Sequence, residues 1–488
     1  MRFILCFILS FCCCLFSARA QTSNHYGSLL QIRSADSLLT IPENGIKAAG
    51  LIFSTNMAIW AYDNFVTQAQ YARINFGTIK NNFKTGFVWD NDIFICNLLS
   101  HPYNGALYHN AARSNGMSFW KSVPFNAAGS LMWEFGLENE PASINDFATT
   151  TVGGMSLGEM SFRISDLIID ERSVGFERLK REALLTIISP IRGLNRLLNG
   201  DWWKKRKIRG NTMPLPSINF SAMIGYRIIT DQLKNRQGKG NTPYLNLSLY
   251  YNDLFDFENE KPFDSFRLNL GINLFSSQPI ISSVNVIGTI YSKDMALRKT
   301  NRQLILGVFQ HFNYYELGAN NNNSSINPYK LGEAASIGPG LLYKTKLTKN
   351  INLSTSAHLS AIIMGGFQTD HYKYGARDYN LGSGFSTKLS SELELADKIK
   401  VFLRGEDYQL YSWIGYNSNE TGSISTNVQG DIGKGKLDIV KLGVNYLYRK
   451  HFLIAVEGNY YYRKSTYKYY PKTEHSIDDI KLSIGYRF

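Results

Sequence analysis

Beyond residue 210, apolar and polar side chains alternate with a period of two in segment after segment. Only a β-strand with one greasy face has that period. In 266–274, Phe266, Leu268, Leu270, Ile272 and Leu274 alternate with Arg267, Asn269, Gly271 and Asn273. Ile218, Phe220, Ala222, Ile224, Tyr226 and Ile228 form a similar row, as do Leu245, Leu247 and Leu249. Further rows begin at Leu353, Phe385 and Phe452, and the last is Ile480, Leu482, Ile484, Tyr486 and Phe488. Weaker runs near 282–291, 301–313, 334–346, 399–412 and 435–448 bring the total to about twelve strands of ~10–14 residues. Such strands are long for a soluble sandwich, whose greasy rows must share one core, and suit tilted strands that cross a membrane. No segment after the N-terminal leader has the ~18 uninterrupted apolar residues of a spanning helix; the nearest, 51–62, contains Ser54, Thr55 and Asn56.

The connections alternate in kind. Tight turns are expected at 348–350, 396–398 and 449–450, and long polar loops at 314–332, 365–381, 413–433 and 465–476. Short turns on one side and long loops on the other are the usual asymmetry of membrane barrels. The early connections 255–263 and 292–300 are long for the tight-turn side. Tyrosines gather at strand ends, at Tyr314-Tyr315, 460–462 and 467–470, where amphipathic rings suit a membrane–water interface. The terminal Ile484-Gly485-Tyr486-Arg487-Phe488 resembles the closing strand of outer-membrane barrels. That resemblance implies the barrel-assembly machinery as a partner, through Phe488.

Residues 1–20 have the form of a secretory signal: Arg2, an apolar run over 3–16, then Ala18-Arg19-Ala20 before Gln21. A lipoprotein start is the rival reading, but no small residue immediately precedes Cys12, Cys13 and Cys14. Removing the leader leaves Cys96 alone, so no internal disulfide is expected. The leader holds Arg2, Arg19 and no acid, so the net charge falls from +13 to +11. A basic total alone specifies no partner, and export argues against nucleic acid. Outer-membrane lipids of a Gram-negative envelope are the expected surroundings.

Residues 21–210 read differently, with helical spacing near 45–65, 103–114, 121–138 and 144–168 and a basic amphipathic stretch near 176–199. Ser143 followed by Asp146 fits a helix start, and Pro141 a boundary. His101 before Pro102 is expected to orient a turn. The elements His101-Pro102-Tyr103, Ala111 to Gly116 (AARSNG), Trp133-Glu134-Phe135 and Ser143 to Phe147 (SINDF) make residues 85–170 resemble the domain of unknown function 3943. The resemblance implies an exported envelope protein and brings no catalytic residues. The expected architecture is therefore mixed: signal 1–20, a mainly helical domain 21–210, and an antiparallel transmembrane barrel 211–488.

The helical block concentrates polar residues able to do chemistry: Asp90, Asp92, His101, His109, Arg113, Glu134, Glu138, Asn145, Asp146 and Glu159. Their spacings match no zinc signature, since there is no H-E-x-x-H, so neither metal nor cofactor is expected. Glu159 and Arg163, at i and i+4, read as a surface ion pair, with a buried pair between helix and barrel as the sharper alternative. Gly154 and Gly158 form a small face that lets another element come close. No G-x-S-x-G elbow joins Ser114, Ser118, Ser130 or Ser143 to His101 or His109. The run Trp202-Trp203-Lys204-Lys205-Arg206-Lys207-Ile208-Arg209 fits a membrane interface or a solvated linker equally. By alternation, Arg227, Arg267, Glu392, Glu394, Glu457 and Lys481 face the lumen, with His358 also on a polar row. The expected function is a non-enzymatic barrel that binds or passes a small or lipidic ligand, with the helical block as plug or support. The alternatives are a lipid-modifying hydrolase and a surface protein that works through its long loops.

Overall fold

The computed structural model describes residues 38–89, 92–231, 241–255, 261–274, 278–295, 302–318, 329–371, 378–413 and 430–488. The signal-like leader with its four cysteines, Asp90 and the tips of several long loops lie outside them. The chain divides into two units: 1–88 with 100–216, and 89–99 with 217–488.

The first unit is helical. Its helices are α1 (Gly45–Ala61), α2 (Phe76–Thr85), α3 (His101–Arg113), α4 (Phe119–Gly136), α5 (Ile144–Ala148), α6 (Gly154–Ile168), α7 (Gly175–Ile188) and α8 (Pro190–Leu198). Wide π-type turns follow α1 at Tyr62–Thr67 and α5 at Thr149–Gly153. Helix α2 escaped the sequence reading; the Asn75 and Thr78 capping box starts it. Ser143 caps α5 as expected, its Oγ accepting from the Asp146 N–H at 3.2 Å. His101 does not orient a loop: it opens α3, because Pro102 sits in the first turn, where no N–H is required. Helix α3 is the hub, touched by α1, α4, α6 and α8. It meets α6 backbone to backbone, since a Cβ on Gly105 would lie 1.8 Å from the Thr150 carbonyl oxygen and one on Gly154 would lie 2.5 Å from Gly105 C. One turn on, Gly158 makes room for His109, so the Gly154/Gly158 face serves a helix–helix contact.

The second unit is a closed antiparallel barrel of β1 (Ile218–Asp231), β2 (Thr242–Tyr251), β3 (Phe266–Asn273), β4 (Ile281–Asp294), β5 (Arg302–Leu317), β6 (Tyr329–Thr348), β7 (Ile351–Gln368), β8 (Tyr379–Leu395), β9 (Ile399–Ser412), β10 (Gly433–Tyr448), β11 (Phe452–Tyr467) and β12 (Thr473–Arg487). Each strand pairs with its neighbour in sequence, and β1 closes the ring on β12 with Ile224 opposite Ile484. The burial pattern is that of a barrel in lipid. On β10, outward Val440, Leu442 and Val444 are 45%, 56% and 43% exposed, while inward Leu437 and Ile439 are 2% and 0% exposed. The turns 396–397 and 449–450 place Ala396, Asp397, Arg449 and Lys450 at positive φ, the twist that a two-residue hairpin turn needs. Phe488 is fastened to β1, its N–H donating to the Phe220 carbonyl at 3.0 Å with the two rings 5.2 Å apart.

Two expectations about connections change. The 468–472 connection is short, because β11 and β12 extend to Tyr467 and Thr473. The β2–β3 connection is long because part of it lines the lumen: Leu254 and Phe255 pack against inward Ile305, Phe309 and Leu342. Residues 92–99 fold with the barrel but stay out of the lumen. Leu98 covers Gly332 and Gly366, and the Phe94 ring lies 5.1 Å from Tyr314 and 5.3 Å from Tyr379. By register, those four barrel residues point away from the lumen that Tyr315, Leu331 and Phe367 fill.

Candidate functional site

The polar residues singled out in the helical block do not form one site. They separate into two clusters two turns apart on α3. At the first, His101 Nε2 lies 3.4 Å from Asp146 Oδ1, and His101, Glu134 and Asp146 bring ligand-type atoms within 4.8 Å of one another. Glu134 accepts from the Ser143 N–H at 2.7 Å, and Asn145 Nδ2 donates to Asp146 at 2.8 Å. Ser143 Oγ is occupied by Asn145 and the Asp146 N–H. Burial, then the Glu134 and Asp146 charges, push the Glu138 carboxyl well above its ordinary 4.5. A carboxyl raised on folding binds extra protons in the native state, so its stability contribution falls as pH rises from about 4.5 towards the native value. Glu138→Gln should therefore raise the melting temperature by about 2–4 °C at pH 8 and leave it unchanged at pH 4. Melting curves of both proteins across that range check this; parallel curves would refute it.

The second cluster is centred on Glu159, which is fully buried. Arg113 grips both carboxylate oxygens (Nε–Oε2 2.7 Å, Nη2–Oε1 3.1 Å), Arg163 Nε donates at 2.8 Å and His109 Nε2 sits at 3.1 Å. The surface reading of Glu159–Arg163 is thus corrected, as is the helix–barrel alternative: the carboxylate is buried where α3 crosses α6. Burial alone would raise the Glu159 carboxyl, but Arg113, Arg163 and His109 outweigh it and hold it far below its ordinary value. Burial lowers the His109 pKa, so the ring is neutral and Nε2–H is the donor. Beyond it, Arg192 pairs with Asp166 at 2.5 Å, and Arg196 bridges Glu171 and Glu182 at 3.0 and 2.8 Å. Sequence reasoning missed these pairs because 176–199 reads as a basic surface; the signal was Arg192 and Arg196 on one face of a helix that buries them. The later basic run is partly structural too: Arg206 pairs with Glu171, Arg209 donates to the Leu167 carbonyl, and Trp203 is 73% exposed. Asp92 belongs to the barrel unit, where its carbonyl accepts from the Tyr379 hydroxyl at 2.7 Å.

The lumen is the other candidate site. Toward the long-loop end, an apolar layer fills it, including Leu331, Phe367, Tyr408, Leu410, Ile439 and Tyr461. Tyr329 on β6 and Tyr461 on β11 are not neighbours in the wall, yet their rings stack at 4.8 Å, so opposite walls touch. Below this layer lies a belt of buried ion pairs: Arg227–Asp479 at 2.6 Å, Glu333–Lys388 at 2.8 Å and Glu406–Lys441 at 3.1 Å. Tyr315 and Tyr408 donate to Glu406 at 2.7 and 2.6 Å, joining the belt to the layer. His358 points inward, its ring edge-on to Phe309 and His311. Of the six lumen residues named from alternation, Arg227 sits in the belt, Glu457 pairs with Lys481 at 3.1 Å, Glu392 with Lys400 at 2.6 Å, and Arg267 lies over Tyr250. Glu394, with Glu457, Lys481, Lys400 and Arg404, lines a vestibule of about 150 Å3, open to solvent, toward the tight-turn end. Glu333, Lys388, Glu406, Lys441 and Asp479 were not singled out beforehand. Lys388, Glu406, Lys441 and Asp479 follow the alternation, but bulges on β6 reverse its phase before Glu333, and which of these charges pair along the wall depends on strand register.

A closed antiparallel barrel with an apolar exterior and a charged, internally paired interior is a membrane-spanning β-barrel of the outer-membrane kind. Residues 86–191 match the model of the domain of unknown function (DUF3943). No curated protein sequence matches the chain. Among solved structures, it is similar to the toluene transporter TodX of Pseudomonas putida (8% identity, 57% of this chain and 90% of that one, TM-score 0.22). It is likewise similar to the outer membrane channel DcaP of Acinetobacter baumannii (8%, 56% and 96%, TM-score 0.22). The transport unit of the autotransporter AIDA-I from Escherichia coli is a third (15%, 55% and 90%, TM-score 0.25).

Proposed function

We propose that this chain is a non-enzymatic outer-membrane protein that captures a small anionic solute in its lumen, entering from the tight-turn side, and is no general pore at rest. The signal-like leader supports export, and insertion in the usual orientation of such barrels would put the tight turns on the periplasmic side. The observation that carries the reading is the charge of the vestibule. Among the lining residues Lys398, Lys400, Arg404, Lys481 and Arg487 outnumber Glu394, Asp397 and Glu457 by two, an excess that Glu392, paired with Lys400 at 2.6 Å just outside the lining, reduces to one. Around them, Asn219, Asn246, Asn269, Asn445, Tyr244 and Tyr250 offer neutral donors and acceptors. An anion entering there meets a concave surface of net positive charge, and the low-dielectric wall behind it strengthens the attraction.

Inorganic phosphate and sulfate are suitable probes, with glucose as the neutral contrast. Calorimetric titration of the detergent-solubilised protein should show anion binding that weakens as salt rises, with little response to glucose. The double variant Lys400→Glu, Arg404→Glu should weaken anion binding by about tenfold or more, the equivalent of ~1.4 kcal/mol. Equal binding of phosphate and glucose, or an unaffected double variant, would refute the reading.

A further inference from the structure

Helix α1 packs Ala48, Leu51 and Ile52 into the core of its unit, yet it and α2 each leave a second set of apolar residues exposed, where a helix facing water would carry polar ones. In α1, Asn56 is fully buried, its Nδ2 donating to the Gly129 carbonyl at 2.9 Å, whereas Ile46 and Phe53, two turns apart on one stripe, are 89% and 57% exposed. In α2, buried Asn82 donates to the Glu138 carbonyl at 2.9 Å, whereas Phe76 and Phe83 are 93% and 68% exposed. The turn adds exposed Tyr62, Phe65 and Val66. From Ala48 to Tyr62 there is no charged residue. The hydroxyls present are turned inward on their own helix: Ser54 Oγ donates to the Gly50 carbonyl and Thr67 Oγ1 to the Asp63 carbonyl, both at 2.8 Å. Trp60 Nε1 is satisfied by the Ala72 carbonyl at 2.9 Å.

We infer that the 45–87 segment lies in the plane of a phospholipid surface, with Ile46, Phe53, Phe65, Phe76 and Phe83 inserted among the acyl chains. Charge names the occupant. Lys80 and Lys84 flank Phe83 on α2, and Lys47 and Arg73 stand at the other ends, against Glu43 and Asp63 alone. Long cationic side chains beside inserted phenylalanines reach headgroup phosphates while their stems lie along the apolar surface. Each helix carries its exposed pair two turns apart, Ile46 with Phe53 and Phe76 with Phe83, the spacing of an in-plane anchor's apolar side. The same chain carries a transmembrane barrel, so this face meets a bilayer at high effective concentration without added affinity. This reading is independent of the vestibule.

The test places the photoreactive p-benzoylphenylalanine at Phe53, Phe65, Phe76 or Phe83, one site at a time, in the full chain. The purified protein is reconstituted in vesicles of phosphatidylethanolamine and phosphatidylglycerol and irradiated. A fifth variant at exposed Glu140 is the control. The four sites should yield phospholipid adducts by mass at least tenfold above Glu140. Adducts to a second copy of the protein, or yields equal to the control, would overturn the inference. Lys80→Glu with Lys84→Glu should cut the yield at Phe76 and Phe83 severalfold in these vesicles, and an unchanged yield would remove the charge argument. Because the probe replaces an exposed phenylalanine, the fold is preserved, and an unchanged far-ultraviolet spectrum verifies it.

Discussion

Glu159→Ala should unfold the helical unit at a far lower temperature than wild type. The substitution leaves Arg113 and Arg163 facing each other across a dry helix crossing without their shared anion. Breaking a buried ion pair from one side costs ~3–5 kcal/mol, because the partner charge is stranded. Here two guanidinium groups and His109 lose their acceptor together. Glu159→Gln should recover part of the loss, since an amide oxygen still accepts from Arg113. Arg163→Ala should cost less than Glu159→Ala, because Arg113 still holds the carboxylate through two nitrogens. The pH dependence follows in sign. A carboxyl depressed on folding contributes stability that is complete above its unfolded value near 4.5 and is lost as pH falls toward the native value. Acid should therefore melt wild type below about pH 4.5, whereas Glu159→Ala should show a flatter acid limb from a lower plateau. Far-ultraviolet circular dichroism at 222 nm, followed against temperature and pH, reads both. A Glu159→Ala melting point within about 2 °C of wild type would show that the cluster does not hold α3 to α6.

The second large effect concerns conduction. Wild type in a planar bilayer should show little or no steady current, because Tyr329 and Tyr461 meet across the lumen and the ion-pair belt lies beneath them. Tyr329→Gly with Tyr461→Gly removes both rings of a contact between opposite walls. Adding Tyr408→Ala removes a third ring of the same layer and one donor to Glu406. Steady conductance should rise on the order of tenfold, since a lumen of twelve strands is wide enough for water once its side chains are cleared. Each large-to-small change also costs ~3–5 kcal/mol of packing. The heat-dependent gel shift of a folded barrel must therefore be retained for the current to be meaningful. A folded triple variant that stays closed would place the seal elsewhere, in the belt itself or in the long loops. A wild-type protein that conducts as freely as the variants would overturn the sealed lumen and, with it, the proposal of a binding vestibule.

Between bulges, alternation alone assigns the two faces of the barrel wall; the bulges on β6 reverse the phase, so that Glu333 faces in while Ile337 and Leu341 face out. The strand period is two, so Val440, Leu442 and Val444 could only face opposite to Leu437 and Ile439, whatever the barrel's final size. The helices were legible from their spacing for the same reason, except α2, which is short and whose exposed phenylalanines follow a lipid-like pattern. What spacing cannot carry is which strand or helix lies opposite. Glu159 and Arg163 look the same in sequence whether they face water or Arg113, and Asp90, Asp92, His101 and His109 read as one cluster when the chain is laid out in a line. Only the α3–α6 crossing, allowed by Gly105 and Gly154, buries Glu159 against Arg113. Only closure of the twelve strands brings Tyr329 against Tyr461 and, across the β1–β12 seam, Arg227 against Asp479. Sequence by itself thus determined the local periods, the two-part organisation and, between bulges, which side chains face the lumen. Tertiary structure alone decided which charges are paired, where the lumen is sealed and which greasy faces stay uncovered, because those depend on contacts between residues far apart in the chain.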